Sequence, residues 1–258
     1  MTIGNVSIPE DVYLLNVLLG LAGLFWTIAY VLIIYRGFKD KTYGMPMLVL
    51  CLNIVWEFMY GFMGDPIVPV GSALEISRQP LLLRLDDVLC FLFDCCILYL
   101  LFKYGRKEFE KFHPYAPKGA FVPTVLLFLL LSFLFITVSV YEWNDHNGIY
   151  IAYVDEVIMA TLFIRMLWRR GNADGQSMWI GLFKFVGTIF TILAGGLVVR
   201  REWGVTRRVF CEMEFLPLMK LCIILILVLD IAYLVFLYRT MKYKQHLNPW
   251  TRKPLASD

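Results

Sequence analysis

Seven apolar runs, each close to the length needed to cross a bilayer, dominate the chain, and no stretch between them is long enough to fold alone. A hydrocarbon core of about 30 Å takes roughly 20 residues as a helix. The runs at 13–35, 45–63, 86–104, 120–142, 149–168, 177–199 and 217–239 meet that requirement. Backbone groups in lipid must be satisfied within the segment, so each run is read as a helix and strands are not expected. Composition agrees: 59% of the 258 residues are apolar or aromatic and 17% are charged, against about 25% charged in soluble domains. The chain is therefore expected to be an all-α, polytopic membrane protein. Its seven transmembrane helices form a single integral domain, followed by a polar tail over 240–258. This excludes a soluble globular enzyme and a disordered chain. The net charge of +3 is spread between apolar runs, which gives nucleic acid no patch to bind.

Five of the six cysteines lie inside apolar runs and none forms a CxxC pair, so neither a disulfide framework nor a zinc site is expected. Adjacent Cys95 and Cys96 are read as small packing hydrophobes. The first dozen residues hold Glu10 and Asp11 and no Lys or Arg. They do not resemble the basic start of a cleavable signal, and the first span is expected to insert itself. Lys and Arg sort by side. Fifteen fall in the connections after spans one, three and five and in the tail, and six, from Arg78 to Arg208, fall opposite. That bias predicts an outer N-terminus and a cytosolic C-terminus, although the four arginines of the last outer loop run against it. A glycosylation sequence, Asn5-Val6-Ser7, lies too near the membrane to be expected in use.

The spans carry acids. Glu57, Asp94, Asp155, Glu156 and Asp230, with Lys184, sit inside apolar runs, where ionisable groups are costly and mark function by default. Measured along each helix from the cytosolic end, Glu57 lies roughly 18 Å deep, Asp94 roughly 15 Å, Asp155 about 20 Å and Asp230 about 14 Å. Four carboxyl groups at one level imply a shared polar cavity. In span two, Asn53, Trp56, Glu57 and Tyr60 have the spacing of one helix face. Asp230 with Tyr233, and Asp87, Cys90, Phe91 and Asp94, repeat that pattern in spans seven and three. A carboxyl group held away from water keeps its proton more readily, as a general acid requires. Aromatic faces in such a cavity attract cations.

Ordinary readings compete at every position. Any one of these acids can pair with Lys184 or Arg165, or bond a neighbouring helix. Asp86 and Asp87, at a span's end, are expected to be interfacial. Most aromatics are expected to face lipid or form interfacial belts. Gly20 and Gly23, like Gly187, Thr191 and Gly195, read as close helix contacts.

The stretch Lys39–Pro66 resembles one family closely: the integral membrane terpene cyclases of fungal indole-diterpene and meroterpenoid pathways, the paxilline type. The resemblance rests on Thr42-Tyr43-Gly44-Met45, Cys51, Asn53, Trp56-Glu57, Tyr60 and Pro66. Arg170-Gly171, Gly175-Gln176-Ser177 with Trp179, and Asp230 with Tyr233 and Tyr238 extend it. The charged patch Glu212–Phe215 has no place in it. The resemblance implies a class II-like cyclase that needs no metal and no cofactor. It acts on a lipophilic epoxyprenyl substrate that reaches it from the bilayer. An acid protonates the terminal epoxide, alkenes close rings in succession, and a base removes the last proton. Glu57 is then the proton donor and Asp230 the second essential carboxyl, sharing the proton or orienting the donor. Asn53, Trp56, Tyr60 and Tyr233 contact substrate. Asp94 is added from its depth and facing. The fungal resemblance and the orientation together place the protein in the endoplasmic reticulum, with a lumenal N-terminus.

Two other functions use the same features. A proton-coupled transporter or channel also needs buried carboxylates, though the two halves show no convincing repeat. A retinal protein needs a mid-helix lysine, and Lys220 and Lys184 fit that poorly.

Overall fold

In the computed structural model each apolar run forms a helix. The structure describes residues 2–3, 6–7, 10–63, 81–143, 145, 148–202 and 217–255. Eight α-helices run in order: α1 (Glu10–Asp40), α2 (Met47–Phe58), α3 (Leu81–Leu100), α4 (Arg106–Phe112), α5 (Phe121–Trp143), α6 (Ile149–Arg170), α7 (Met178–Glu202) and α8 (Pro217–Arg239). The basic α4 continues α3 through a π-helical turn, Leu101–Gly105. Similar turns extend α2 at Met59–Met63 and α8 at Thr240–Lys244. Pro46 opens α2 without a donor to lose. Gly148 and Gly171, both at positive φ, bound α6. The Asp145 carboxylate accepts from the Ile149 and Ile151 amides, satisfying the first turn of α6.

The bundle is entirely helical. Ahead of it, Thr2–Ile3 and Val6–Ser7 pair as a two-residue antiparallel ribbon, a local exception to the all-helical expectation. The asparagine of the glycosylation sequence, Pro66, most of the Gly64–Leu85 loop, Arg78, Arg207, Arg208, Cys211 and the Glu212–Phe215 patch lie outside the described residues.

Packing between neighbours closes a ring: α1, α3, α2, α5, α6, α8, α7 and back to α1, with α2 also touching α6 across the inside. Helices α1, α5, α7 and α8 are long and apolar enough to cross a membrane on composition alone. The acids Glu57, Asp87, Asp94, Asp155 and Glu156 belong to the other three long helices, α2, α3 and α6. Lipid-facing residues such as Leu126, Leu130 and Val138 of α5 are more than half exposed, as a helix surrounded by acyl chains should be. Along α7, Gly187 leaves room for the Trp26 indole, where a Cβ would come within 2.8 Å.

At one end the two motifs that carried the resemblance form a single clasp. Gln176 Nε2 donates to the Gly44 carbonyl, and the Gly175 amide donates to Asp40 Oδ2 at 2.9 Å. Gly175 has φ +77°, and a Cβ there would meet Thr42 Cγ2 at 2.9 Å. Tyr43 OH donates to Glu108 at 3.1 Å, and Arg169 and Arg170 hold the same carboxylate at 2.9–3.0 Å. The Arg170 guanidinium also lies 4.4 Å from the centre of the Tyr43 ring. Burial works against the Glu108 charge, but the bonds and charge of Arg170, with Tyr43 and Arg169, hold its carboxyl below the usual range. Arg252 of the tail closes the assembly, donating to the Ala173 and Gln176 carbonyls and reaching Asp40 and Asp174 at 3.7 Å.

Candidate active site

Inside the ring lies a cavity of about 200 Å³. Its wall is built from Trp26 and Tyr30 of α1, Asn53, Trp56 and Glu57 of α2, and Asp86, Asp87 and Cys90 of α3. Asp155, Glu156 and Met159 of α6 and Thr191 of α7 complete it. Five carboxyl groups therefore face one space.

Helix periodicity explains α2's share. Asn53, Trp56 and Glu57 fall on its inner face, and the wider π turn begins two residues after Glu57. Tyr60, seven residues from Asn53, is buried but stands outside the wall. Its ring packs tilted against Trp56, centroids 4.8 Å apart, and its hydroxyl donates to the Asp145 carbonyl at 3.3 Å. Asp86 and Asp87, expected to be interfacial, line the cavity instead. Gly23 makes this possible, since a Cβ there would come within 2.7 Å of Asp86 Oδ2.

Asp94 is fully buried one layer back, behind Tyr30. Tyr30 OH donates to it at 3.5 Å and accepts from Asn53 Nδ2 at 2.9 Å. The chain Asn53–Tyr30–Asp94 thus links α2, α1 and α3 at the cavity wall.

Asp230 lies outside the wall too, at the junction of α6, α7 and α8. Both its oxygens hold the Lys184 ammonium, at 2.7 and 2.9 Å. Lys184 also reaches Glu156 Oε2 at 3.6 Å and lies 5.6 Å from the Trp26 ring centre. The pairing with Lys184 that the sequence left open is therefore present. Tyr233 donates to Gln176 Oε1 at 2.6 Å, away from the cavity.

The cavity wall is rich in unspent polar atoms. Trp56 Nε1, Glu57 Oε2, Asp87 Oδ2 and Asp155 Oδ1 are buried without a hydrogen-bond partner among the described residues, and Glu156 Oε2 meets the Lys184 ammonium at 3.6 Å. Buried polar atoms are ordinarily satisfied, so these atoms are available to hydrogen-bond a bound molecule. Three aromatic side chains, Trp26, Tyr30 and Trp56, line the space beside them. Such a space can deliver a proton to a bound molecule and stabilise positive charge as it develops.

Sequence reasoning missed Trp26 and Tyr30. Both sit in an otherwise apolar first span, where an aromatic carries no depth or charge signal. A second cavity of about 340 Å³, near the clasp, is lined by Tyr43, His113, Phe128, Arg165 and Arg169 among others, with no carboxyl group in its wall among the described residues.

A family model described as Pyr4-like transmembrane terpene cyclases matches residues 9–243. The Pyr4-family terpene cyclase mfmH of Annulohypoxylon moriforme is 31% identical over 205 residues, 78% of each chain. Terpene cyclase andB of Emericella variicolor is 28% identical over 238 residues, 86% of this chain and 87% of its own. Asnovolin H synthase nvfL of Aspergillus novofumigatus is 26% identical over 184 residues, 69% and 68% of the two chains. No solved structure matches the chain.

Proposed function

The chain belongs to the Pyr4-like transmembrane terpene cyclases, and from that premise we propose that it closes rings on an epoxyprenyl meroterpenoid or indole-terpenoid, with Glu57 starting the reaction. The observation that carries this reading is the position of Glu57. It faces the cavity among Asp87, Asp86 and Asp155, with Asp94 behind Tyr30, and its Oε2 meets no hydrogen-bond partner among the described residues. Several carboxyl groups crowded in an apolar space cannot all be charged at acceptable cost. A carboxyl group that keeps its proton is a general acid.

The proposed step starts from Glu57. The Glu57 O–H bond breaks as its proton passes to the epoxide oxygen, and the C–O bond opens toward a tertiary cation. Successive alkene π pairs attack it, each forming a C–C bond and leaving the next cation. Trp26, Tyr30 and Trp56 present ring faces to those cations, worth about 0.5–2 kcal/mol each. Loss of a proton ends the cascade, so the product is an isomer of the substrate. The trigger is a proton, which makes the reaction class II-like and independent of metal.

The substrate is lipophilic and approaches from the bilayer. The basic residues of α4, the end of α6 and the tail gather at one end of the bundle, which the positive-inside bias assigns to the cytosol. We place the protein in the endoplasmic reticulum with its N-terminus in the lumen.

The test uses membranes from yeast expressing the full chain, supplied with epoxyfarnesyl phenolics and epoxyprenyl indoles in the presence of chelator. A new product of unchanged mass is expected, absent with Glu57→Gln, which leaves the epoxide intact. Full activity in that variant overturns the assignment of Glu57.

A further inference from the structure

We propose that Glu156 is the base that ends the cascade, and that Asp230 acts on it at one remove, by fixing the Lys184 ammonium beside it. The inference rests on the cyclase reading above and adds to it the second half of the proton balance.

A terminating base must carry a negative charge when the last cation forms, and a buried charge needs a counter-charge. Among the described residues an ion pair gives Glu156 that condition, and the charge of Arg84 acts on Asp87 elsewhere in the wall. Lys184, itself buried and shared with Asp230, lies 3.6 Å from Glu156 Oε2. Glu57, Asp94 and Asp155 have no basic side chain paired with them among the described residues. The neighbouring Asp155 lines the same cavity without a cation. Two carboxyl groups in one cavity thus meet opposite surroundings, which is how an acid and a base are kept distinct in one site.

Asp230 supplies the geometry. Its two oxygens hold Nζ of Lys184 from behind, at 2.7 and 2.9 Å, so that the ammonium faces Glu156 and the Trp26 ring. Asp230 does not line the cavity. It is a positioning residue, and its effect on the reaction passes through Lys184.

The proton balance closes. In the last step a C–H bond next to the final cation breaks. Its electron pair becomes the alkene, and the proton forms an O–H bond on Glu156. Glu57 is then ionised and Glu156 neutral. One proton returning across the cavity restores the resting state, so nothing external is consumed.

Glu156→Gln tests the base. In the membrane assay with epoxyfarnesyl phenolics, this variant should still consume the epoxide. The deprotonated isomer should fall about a hundredfold relative to water-trapped or partly cyclised products. Glu156→Asp should restore part of it. An unchanged product distribution in Glu156→Gln overturns the inference.

Lys184→Met/Asp230→Asn tests the positioning role, because it removes the Lys184–Asp230 pair whole and leaves Glu156 without its cation, to take up a proton at rest. Folded double variant should open the epoxide and show the product shift of Glu156→Gln. If Asp230 were itself the proton donor, no change at Lys184 would help, and intact epoxide in the double variant overturns the positioning role.

Infrared difference spectra of the resting protein separate this inference from the cyclase reading. Glu156→Gln should remove a carboxylate band and Glu57→Gln a protonated carboxyl band, whether or not any supplied epoxide turns over. Loss of the same kind of band in both variants overturns the inference.

Discussion

Tyr30 shows how much one side chain of an apolar span decides. Its ring lines the cavity, while its hydroxyl accepts from Asn53 and donates to Asp94. Tyr30→Phe removes that bridge and leaves two buried polar groups short of a partner, at a cost of about 1–3 kcal/mol. The melting temperature in detergent should drop, and the turnover of epoxide should fall with it. An unchanged melting temperature would mean that Asn53 and Asp94 find each other, or water, without the phenol. Asp94→Asn keeps an acceptor for Tyr30 and should be milder than Glu57→Gln. The same scale explains why acids at one depth do not share one role. Glu57 and Asp155 face the cavity, whereas Asp94 lies behind Tyr30 and Asp230 behind Lys184. Depth along a helix sets the level of a group; rotation about the axis decides what it meets.

Elements are held in register by the clasp at the end that carries Tyr43. The α1–α2 turn, α4, the α6–α7 turn and the tail meet there through Asp40, Glu108, Gln176 and Arg252. The Thr42–Met45 and Gly175–Ser177 segments, read from sequence as family marks, therefore serve the bundle's architecture, and Met45 Sδ also accepts from Asn53 of the cavity wall at 3.8 Å. Glu108 gives this a pH signature. Its folded value lies below its unfolded one, so its stabilisation is present above about pH 4 and is lost as pH falls through the lower, folded value. The melting temperature of the wild-type protein should decline on acidification through that range. Glu108→Gln should lower it at neutral pH and flatten the acid decline; parallel profiles for the two proteins would count against the clasp.

At the scale of the whole molecule, the ring order decides which helices meet lipid. Helix α5 turns most of its apolar surface outward, while α2, α3 and α6 bring their acids inside. One end collects the clasp and its arginines, and the proposed orientation turns that end to the cytosol. A tag fused to the C-terminus should accordingly be digested by protease added to sealed microsomes. Protection of the tag, with digestion only after detergent, would invert the orientation.

Seven membrane helices were legible in the sequence because apolar length is a local property: each run must satisfy its own backbone in lipid, whatever its neighbours do. The inner face of α2 was legible for a similar reason, since Asn53, Trp56 and Glu57 follow from 3.6 residues per turn. What only the tertiary structure decided were the relations between helices. It assigned Lys184 to Asp230 and Glu156, set Tyr30 between Asn53 and Asp94, and brought Asp86 and Asp87 into the cavity beside Gly23. These pairings join residues far apart in the chain, and they depend on the order in which seven helices close a ring, which no single helix encodes.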